Sequence, residues 1–467
     1  MKYKKNHQSE RIFIAGFFTR NINDPKSAFW LNSVKAKARF ESLYVLNASE
    51  TDNVAINGFE ELFFPAWLRG SKIKAGRFCW GIFSLMALLF QNPKFLIEVI
   101  ALEFKAMPLN TNSWGLGFLK RMFFLLKTVC GLGQVFIIFH KLDLGDQDTV
   151  VVWSEHFSGM RLLKREVKRS KSRLVLSEYG EIPGTMFICD RGMFHESWPL
   201  RYKQQFGSLP INVDEIDQVQ RYIHNIVCER ISSKTGQYAV DDTLEALDIK
   251  KGKPIIYING IQPHASGLLP RCSEFSKEYS PYFGSNDAIL RYFSQLAEKH
   301  DWIVLFKDHP NTCNYFAGQE LRDEGLSEHV KILGNVDIYK VLRVADLTVS
   351  LGSKTVFLSL LNEVPVFLLG PYSISPSDLK SGVYRGGDSE EAIVSVVESA
   401  RRDGVDSEGL TLYLARMMKY YYYSMDDDAD SLFGRGKQQF WEDFHDYMAG
   451  GRSVISAKVN FNGSTKK

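Results

Sequence analysis

The sequence predicts an α/β protein of two doubly wound domains, and three observations carry that reading. Short apolar runs of strand length alternate with stretches of helical spacing. The runs fall into two groups, with the charged, helical stretch Tyr202–Leu247 between them. At 467 residues the chain is also too long for one ordinary domain. The predicted division is a first domain over 1–200, a helical connection over 201–250 and a second domain over 251–400. Closing helices follow over 401–450, then a polar tail over 451–467 that is expected to be disordered.

The first domain opens with strand Arg11–Phe18, helix Ala28–Phe40 and strand Leu43–Leu46, a β-α-β start. An apolar helical insertion is expected over about 70–140, where Phe78–Phe90, Phe95–Phe104 and Met122–Phe139 are rich in Phe, Leu and Ile. Glu98, Glu103 and Lys127 interrupt these runs, and Gly131 and Gly133 break the last. Three readings stay open: buried helices, a face dipping into the inner leaflet with its cations toward anionic lipid, or a true span. The chain resumes with strand Asp148–Trp153 and a basic helix carrying Arg161, Lys164, Arg165, Lys168, Arg169, Lys171 and Arg173. Such a helix is either a solvated face or a contact for acidic glycan or lipid phosphate. Strand Arg173–Leu176 then leads into Ser177-Glu178-Tyr179-Gly180-Glu181-Ile182-Pro183-Gly184, and strand Thr185–Cys189 into Asp190-Arg191-Gly192.

The second domain opens with strand Lys253–Asn259, followed by Gly260-Ile261-Gln262-Pro263-His264-Ala265-Ser266. Helix Asp287–Lys299 crosses over to strand Trp302–Lys307, which stops at Asp308-His309-Pro310 because proline disfavours helix before it and cannot donate to a ladder. Strand Leu347–Leu351 runs into Gly352-Ser353-Lys354-Thr355 and a helix, and strand Val364–Leu369 ends at Gly370-Pro371-Tyr372. A strand, a small-residue turn and a helix start make an anion site, and open α/β sheets bind ligands at the carboxyl ends of their strands. The candidate ligand-binding residues are therefore Lys307, His309, Pro310, Ser350, Gly352, Ser353, Thr355, Gly370 and Tyr372. In the first domain, Glu178 is the candidate acid or base, with Gly180, Gly184 and Asp190 where backbone would approach a ligand. The closing stretch Gly404–Asp446 reads as two helices that include the aromatic run Tyr420–Tyr423.

Composition narrows the partners. Hydrophobic content of 45% and charge of 24% suit a soluble globular protein, and a net charge of +3 is too small to point to nucleic acid. Aromatics at 13%, with 33 Phe, suit a sugar-handling or membrane-surface protein. The six cysteines are scattered with no CxxC pair, so a zinc site is not expected, and free thiols in a cytoplasmic protein are. The start of the chain reads as a first strand rather than a signal peptide. No GxxxxGK[ST], HExxH, GxSxG or EF-hand pattern occurs, so those chemistries have no support.

Several of these motifs together carry a resemblance. His309-Pro310 after a strand, then Ser353-Lys354-Thr355-Val356-Phe357-Leu358-Ser359-Leu360-Leu361, resemble the capsule-polysaccharide biosynthesis family that includes the bacterial Kdo transferases. Glu178-Tyr179-Gly180, Pro183-Gly184 and Asp190-Arg191-Gly192 match its acidic-x-Gly region in order and spacing. The match departs at three places: the family's glutamate falls on Ser359, its glycine on Phe357, and the aspartate of its Gln-x-x-x-Asp motif on Ser266, while Gln262 is kept. The resemblance implies a GT-B fold, two Rossmann-type domains facing a cleft. It also implies a glycosyltransferase of surface polysaccharide with a nucleotide-sugar donor such as CMP-Kdo and no required metal or other cofactor. A lipid-linked or growing glycan would accept the sugar at the inner face of the plasma membrane, with capsule assembly or export proteins as partners. Gln262, His264 and Ser266 join Glu178 as catalytic candidates on this basis. Two alternatives stand beside it: a polyol-phosphate transferase of the teichoic-acid type, and a non-catalytic glycan-binding or assembly subunit that keeps the fold.

Overall fold

The computed structural model describes residues 11–15, 42–47, 60–63, 144–146, 148–153, 158–193, 196–228, 252–262, 266–268, 273–309, 326, 328–333, 336–425, 431–436, 438–440, 442–443 and single positions between 86 and 126. The chain divides into two compact units. The first holds Met1–Glu178, Ile188–Met193 and Phe440–Lys467; the second holds Tyr179–Phe187 and Phe194–Gln439.

In the first unit, β1 (Arg11–Ala15), β2 (Ser42–Asn47), β3 (Glu60–Phe63), β4 (Thr149–Trp153) and β5 (Arg173–Tyr179) pair in parallel in the order β5-β4-β1-β2-β3. The chain enters at the middle, builds outward on one side, then returns to build on the other, as a doubly wound sheet does. Val150, Val151 and Val152 are fully buried, as expected of a parallel strand covered on both faces. Helix α1 (Ser158–Ser170) buries Leu162, Leu163 and Val167 and exposes Arg165, Lys168 and Arg169. Strand β5 runs three residues further than the sequence suggests, so Glu178 lies within the strand rather than in the turn after it. The predicted helix over 28–40, most of the insertion, the stretch 229–250 and the tail lie outside the described residues. At the described insertion positions the backbone is helical; Phe90 and Ile97 are exposed and Leu96 is buried. No helix among the described residues is long and apolar enough to cross a membrane.

The second unit carries the better-described sheet. Its strands β7 (Ile255–Asn259), β8 (Ile303–Lys307), β9 (Val330–Leu333), β10 (Leu347–Ser350), β11 (Val366–Leu368) and β12 (Val383–Arg385) are all parallel. Their order is β12-β11-β10-β7-β8-β9. Side chains alternate between two cores. Ile256, Ile258, Val304, Phe306 and Val349 pack with Leu290 and Phe293 of α6 (Asn286–His300) and with Ile393 and Val397 of α9 (Glu390–Asp403). On the opposite face, Ile255, Tyr257, Ile303 and Leu305 pack with Tyr339 and Leu342 of α7 (Ile338–Leu342) and Leu358 of α8 (Thr355–Leu361). Helices on both faces of a parallel sheet make this a Rossmann-type domain. Helix α6 is capped at both ends: Ser285 accepts from the Ala288 amide at 3.1 Å, and the helix ends at Asp301 in the left-handed region. Between these elements lie the helices α2 (Trp198–Arg201), α3 (Lys203–Gly207), α4 (Val213–Cys228) and α5 (Glu274–Tyr279).

The closing region differs from two successive helices. Helix α10 (Ser407–Arg416) passes into a π-helical turn, Met417–Tyr421, and then a strand, β13 (Tyr422–Ser424). That strand pairs antiparallel with β6 (Thr185–Cys189), Tyr422 opposite Phe187. Tyr422 and Tyr423 are both fully buried. As successive strand residues, Tyr422 and Tyr423 point to opposite faces of the sheet.

Candidate functional site

The second unit's strand order contains a switch point. The chain builds β7, β8 and β9 to one side, then returns to β7 and builds β10, β11 and β12 to the other. Helix α6 follows β7 on one face of the sheet, whereas α8 follows β10 on the opposite face. The two connections thus diverge at the carboxyl ends of β7 and β10, leaving the crevice where such sheets hold their ligands. Asn259, Gly260, Ile261 and Gln262 leave β7 there, and Leu351, Gly352 and Ser353 leave β10.

His309 lies at the same sheet edge, but β7 stands between its strand and β10. The sequence suggests near neighbours; two strand spacings amount to about 10 Å. Gly260 explains how β7 and β8 finish together. Its amide donates to the Lys307 carbonyl at 2.9 Å, and a Cβ on it would sit 3.0 Å from the Asp308 backbone. Asp308 in turn accepts from the His309 amide at 2.8 Å, and both residues are half-buried. Lys307 is buried on the α7 face; burial lowers its pKa, while Asp308 and Asp337 act the other way.

The Gly352 turn is the most constrained part. Gly352 has φ +128°, and a Cβ there would meet the Tyr372 ring at 3.0 Å and the Tyr279 hydroxyl at 3.2 Å. Its amide donates to Ser350 Oγ at 3.1 Å, and its carbonyl accepts from Tyr279 Oη at 3.1 Å. Ser353 Oγ accepts from the Thr355 amide at 3.3 Å. Two amides expected to face a ligand, those of Gly352 and Thr355, are therefore engaged inside the turn. Ser353, Lys354 and Thr355 are half-buried and present their side chains at the crevice edge. Lys354, which is not among the sequence-derived candidates, brings a cation to this turn, with Nζ 5.1 Å from the centre of the Tyr179 ring. The only hint is its place where the resembled family has a small hydroxyl residue.

Several expected site residues have contacts that serve the fold. Ser350 is buried and its hydroxyl holds Gly352. Gly370 is required because a Cβ would fall 2.0 Å from the Tyr279 carbonyl. Tyr372 is buried against Gly352, and its hydroxyl resists ionisation through burial, then the nearby Glu181 charge. Ser359, at the position of the family's glutamate, is fully buried and bonds Thr348 Oγ1 at 2.9 Å and the Thr355 carbonyl at 2.8 Å. Ser266 is buried and hydrogen-bonded to the Tyr279 hydroxyl. Gly180 admits no side chain, since a Cβ would sit 2.1 Å from Thr185 Oγ1 and 3.0 Å from the Tyr422 ring. Gly184, with φ +74° and open space around it, is a turn residue whose carbonyl accepts from the Met425 amide at 2.9 Å. Gln262 is half-buried just past β7. Glu178 and Asp190 are half-buried and belong to the first unit, with Asp190 Oδ2 4.0 Å from Arg191 Nε. His264 and Pro310 lie outside the described residues. Among the described residues no cluster of three or more His, Cys, Asp or Glu is arranged to hold a metal ion.

No family profile and no curated protein matches this sequence. Solved structures show distant similarity. The Thermosulfurimonas dismutans KpsC β-Kdo 2,7 transferase is 16% identical, with TM-score 0.39 over 59% of this chain and 78% of its own. The KpsC β-Kdo 2,4 transferase from the same organism is 14% identical, with TM-score 0.42 over 61% and 83%. The S. aureus MnaA structure with UDP is 9% identical, with TM-score 0.36 over 97% of each chain.

Proposed function

We propose that this protein is a glycosyltransferase that takes its sugar from a nucleotide donor held at the switch point of the second unit. One observation carries the reading. The parallel order β12-β11-β10-β7-β8-β9, with α6 and α8 on opposite faces, opens a crevice at the Gly352 turn. Ser353, Thr355 and His309 at that edge offer donors for a leaving phosphate, and Lys354 offers a cation. The ordered motifs His309-Pro310 and Ser353–Leu361 favour a surface-polysaccharide enzyme, with Kdo among the donor sugars to be tried first. A lipid-linked acceptor at the inner leaflet is consistent with the exposed Phe90 and Ile97. Glu178, half-buried at the end of its strand, is the proposed acceptor-side carboxylate.

A second reading has its own observation. Ser266, where the resembled family has its aspartate, is buried and bonded to Tyr279, so it offers no base. Under that reading the protein binds a nucleotide sugar without turning it over. Calorimetry and donor hydrolysis with CMP-, UDP-, GDP- and CDP-linked sugars separate the two. The enzyme reading expects one nucleotide class bound and consumed, and Glu178→Gln lowering turnover by orders of magnitude while binding stays. Binding of one class with no turnover across the acceptors favours the second reading, and binding of none removes both.

A further inference from the structure

Buried between the crevice and the core is a short chain of hydrogen bonds whose direction can be worked out. Tyr279, at the end of α5, is fully buried, with its ring stacked 5.9 Å from that of Phe275. Its hydroxyl meets two groups, the Gly352 carbonyl at 3.1 Å and the Ser266 hydroxyl. A carbonyl can only accept, so the single phenolic proton goes to Gly352. Ser266 must then donate its own proton to Tyr279 Oη. Ser266 Oγ in turn accepts from the Leu268 amide at 3.4 Å. One polar chain therefore runs from Leu268 through Ser266 and Tyr279 to Gly352. Burial raises the Tyr279 pKa, which keeps the phenol in the neutral form that donates.

The Gly352 end of this chain matters because a peptide unit is planar and trans. The Gly352 carbonyl and the Ser353 amide belong to the same unit and point in opposite directions. A carbonyl held inward on Tyr279 aims the Ser353 N–H away from the core. Gly352, at φ +128°, has the backbone freedom to turn this unit over, so its own conformational preference does not hold it.

We propose that Ser266 and Tyr279 are a positioning pair that locks the Gly352–Ser353 peptide with its N–H outward, as a donor for a phosphate oxygen of the bound nucleotide. The inference rests on the nucleotide reading for its ligand, but its geometric half stands apart from any ligand. It also gives Ser266 a role that an aspartate could not fill. A carboxylate accepts and does not donate, so it would compete with Gly352 for the one proton of Tyr279.

The test uses the full chain, with Tyr279→Phe removing one hydroxyl and keeping the ring. The Gly352 carbonyl 13C resonance should move upfield as it loses its hydrogen bond, while the denaturant midpoint moves little. Affinity for CMP, UDP, CDP or GDP, whichever the wild type binds, should fall about tenfold, while affinity for the matching nucleoside stays unchanged. A purely structural role would weaken both ligands alike. Ser266→Ala should act in the same direction with a smaller effect, and it replaces Tyr279→Phe if that variant does not fold. Ser266→Asp should move the Gly352 carbonyl resonance the same way and weaken the phosphate-dependent binding; a gain of turnover there would overturn the proposal. So would a wild-type Gly352 carbonyl resonance and wild-type nucleotide affinity in Tyr279→Phe. If the wild type binds no nucleotide, the functional reading fails, and the carbonyl resonance still decides whether the pair holds the turn.

Discussion

Two turns of the second unit look alike in sequence and behave differently in the fold. Tyr179–Thr185 and Ser350–Thr355 each leave a buried strand, each contains a glycine that admits no Cβ, and each rests on a buried tyrosine. In the first turn the polar groups close on one another. The Gly180 amide donates to the Thr185 carbonyl at 2.9 Å, the Thr185 hydroxyl to the Ile182 carbonyl at 2.7 Å, and the Tyr422 hydroxyl to Glu181. In the second turn Gly352 is closed in this way and Ser353 Oγ holds the Thr355 amide, yet the side chains of Ser353, Lys354 and Thr355 stay half-exposed at the switch point. A glycine after a strand thus reports that something comes close to the backbone. Whether that is a ligand or the protein's own side chain depends on what the neighbouring elements place there.

The largest expected effect breaks both turns together. Tyr257, Tyr279, Tyr372, Tyr413 and Tyr422 are buried, and burial raises the pKa of each. Above the ordinary tyrosine value of about 10 the unfolded chain loses these protons while the folded chain keeps them, so stability falls as pH rises. Each such phenol removes about 1.4 kcal/mol per pH unit above that point. Circular dichroism should therefore show cooperative alkaline unfolding of the unit within about a unit or two above pH 10, and phenolate absorbance should rise in a step at that transition. Absence of an absorbance step at unfolding would show that the tyrosines under the two turns are open to solvent.

The glycines separate the turns. Gly180→Ala forces a Cβ to 2.1 Å from Thr185 Oγ1 and should cost about 3 kcal/mol in denaturant unfolding, with nucleotide affinity of the folded protein kept. Gly352→Ala meets Tyr372 at φ +128° and should lower that affinity roughly a hundredfold. Equal effects on binding would erase the distinction between the turns.

Side chains at the crevice edge come next. Ser353→Ala and His309→Ala should each weaken nucleotide binding by roughly ten- to a hundredfold, the worth of one hydrogen bond to a charged group. Wild-type affinity in both would move the donor site elsewhere. The smallest effect is a control remote from either turn. Asp406 caps α10, accepting from the Gly409 amide at 3.0 Å and the Lys380 amide at 2.9 Å. These backbone bonds lower its pKa, so the stability it contributes is present above the ordinary aspartate range and is lost as pH falls through the lowered value. Asp406→Ala should cost about 1 kcal/mol near neutral pH and leave binding alone. A binding loss there would mean that stability changes alone explain the other variants.

Much of the second sheet is legible in the amino-acid sequence. Strands β7, β8 and β10 are nearly continuous apolar runs, and helix α6 has an apolar stripe with Ser285 before it, and these signals lie within a dozen residues of chain. The Gly352 turn is legible for the same reason, since strand, small residues and helix follow one another directly. The tyrosine run Tyr420–Tyr423 reads as helix throughout; Tyr420 and Tyr421 are helical, but Tyr422 and Tyr423 form a strand because their partner, β6, lies far back in the chain. The roles of Ser350, Ser359, Gly370 and Tyr372 are hidden because the groups they touch come from other elements or from the turn's own folded backbone.

The sequence alone determined the α/β class, most strands of the second unit and the strand-turn-helix at Gly352, because period and turn chemistry act between close neighbours in the chain. The tertiary structure decided that β7 stands between β8 and β10, which creates the switch point. It also decided that Tyr279, 73 residues before Gly352, holds the carbonyl of that turn. Both depend on which distant segments share a face. Burial of apolar surface is non-directional, so a hydrophobic run records that it will be covered and not by what.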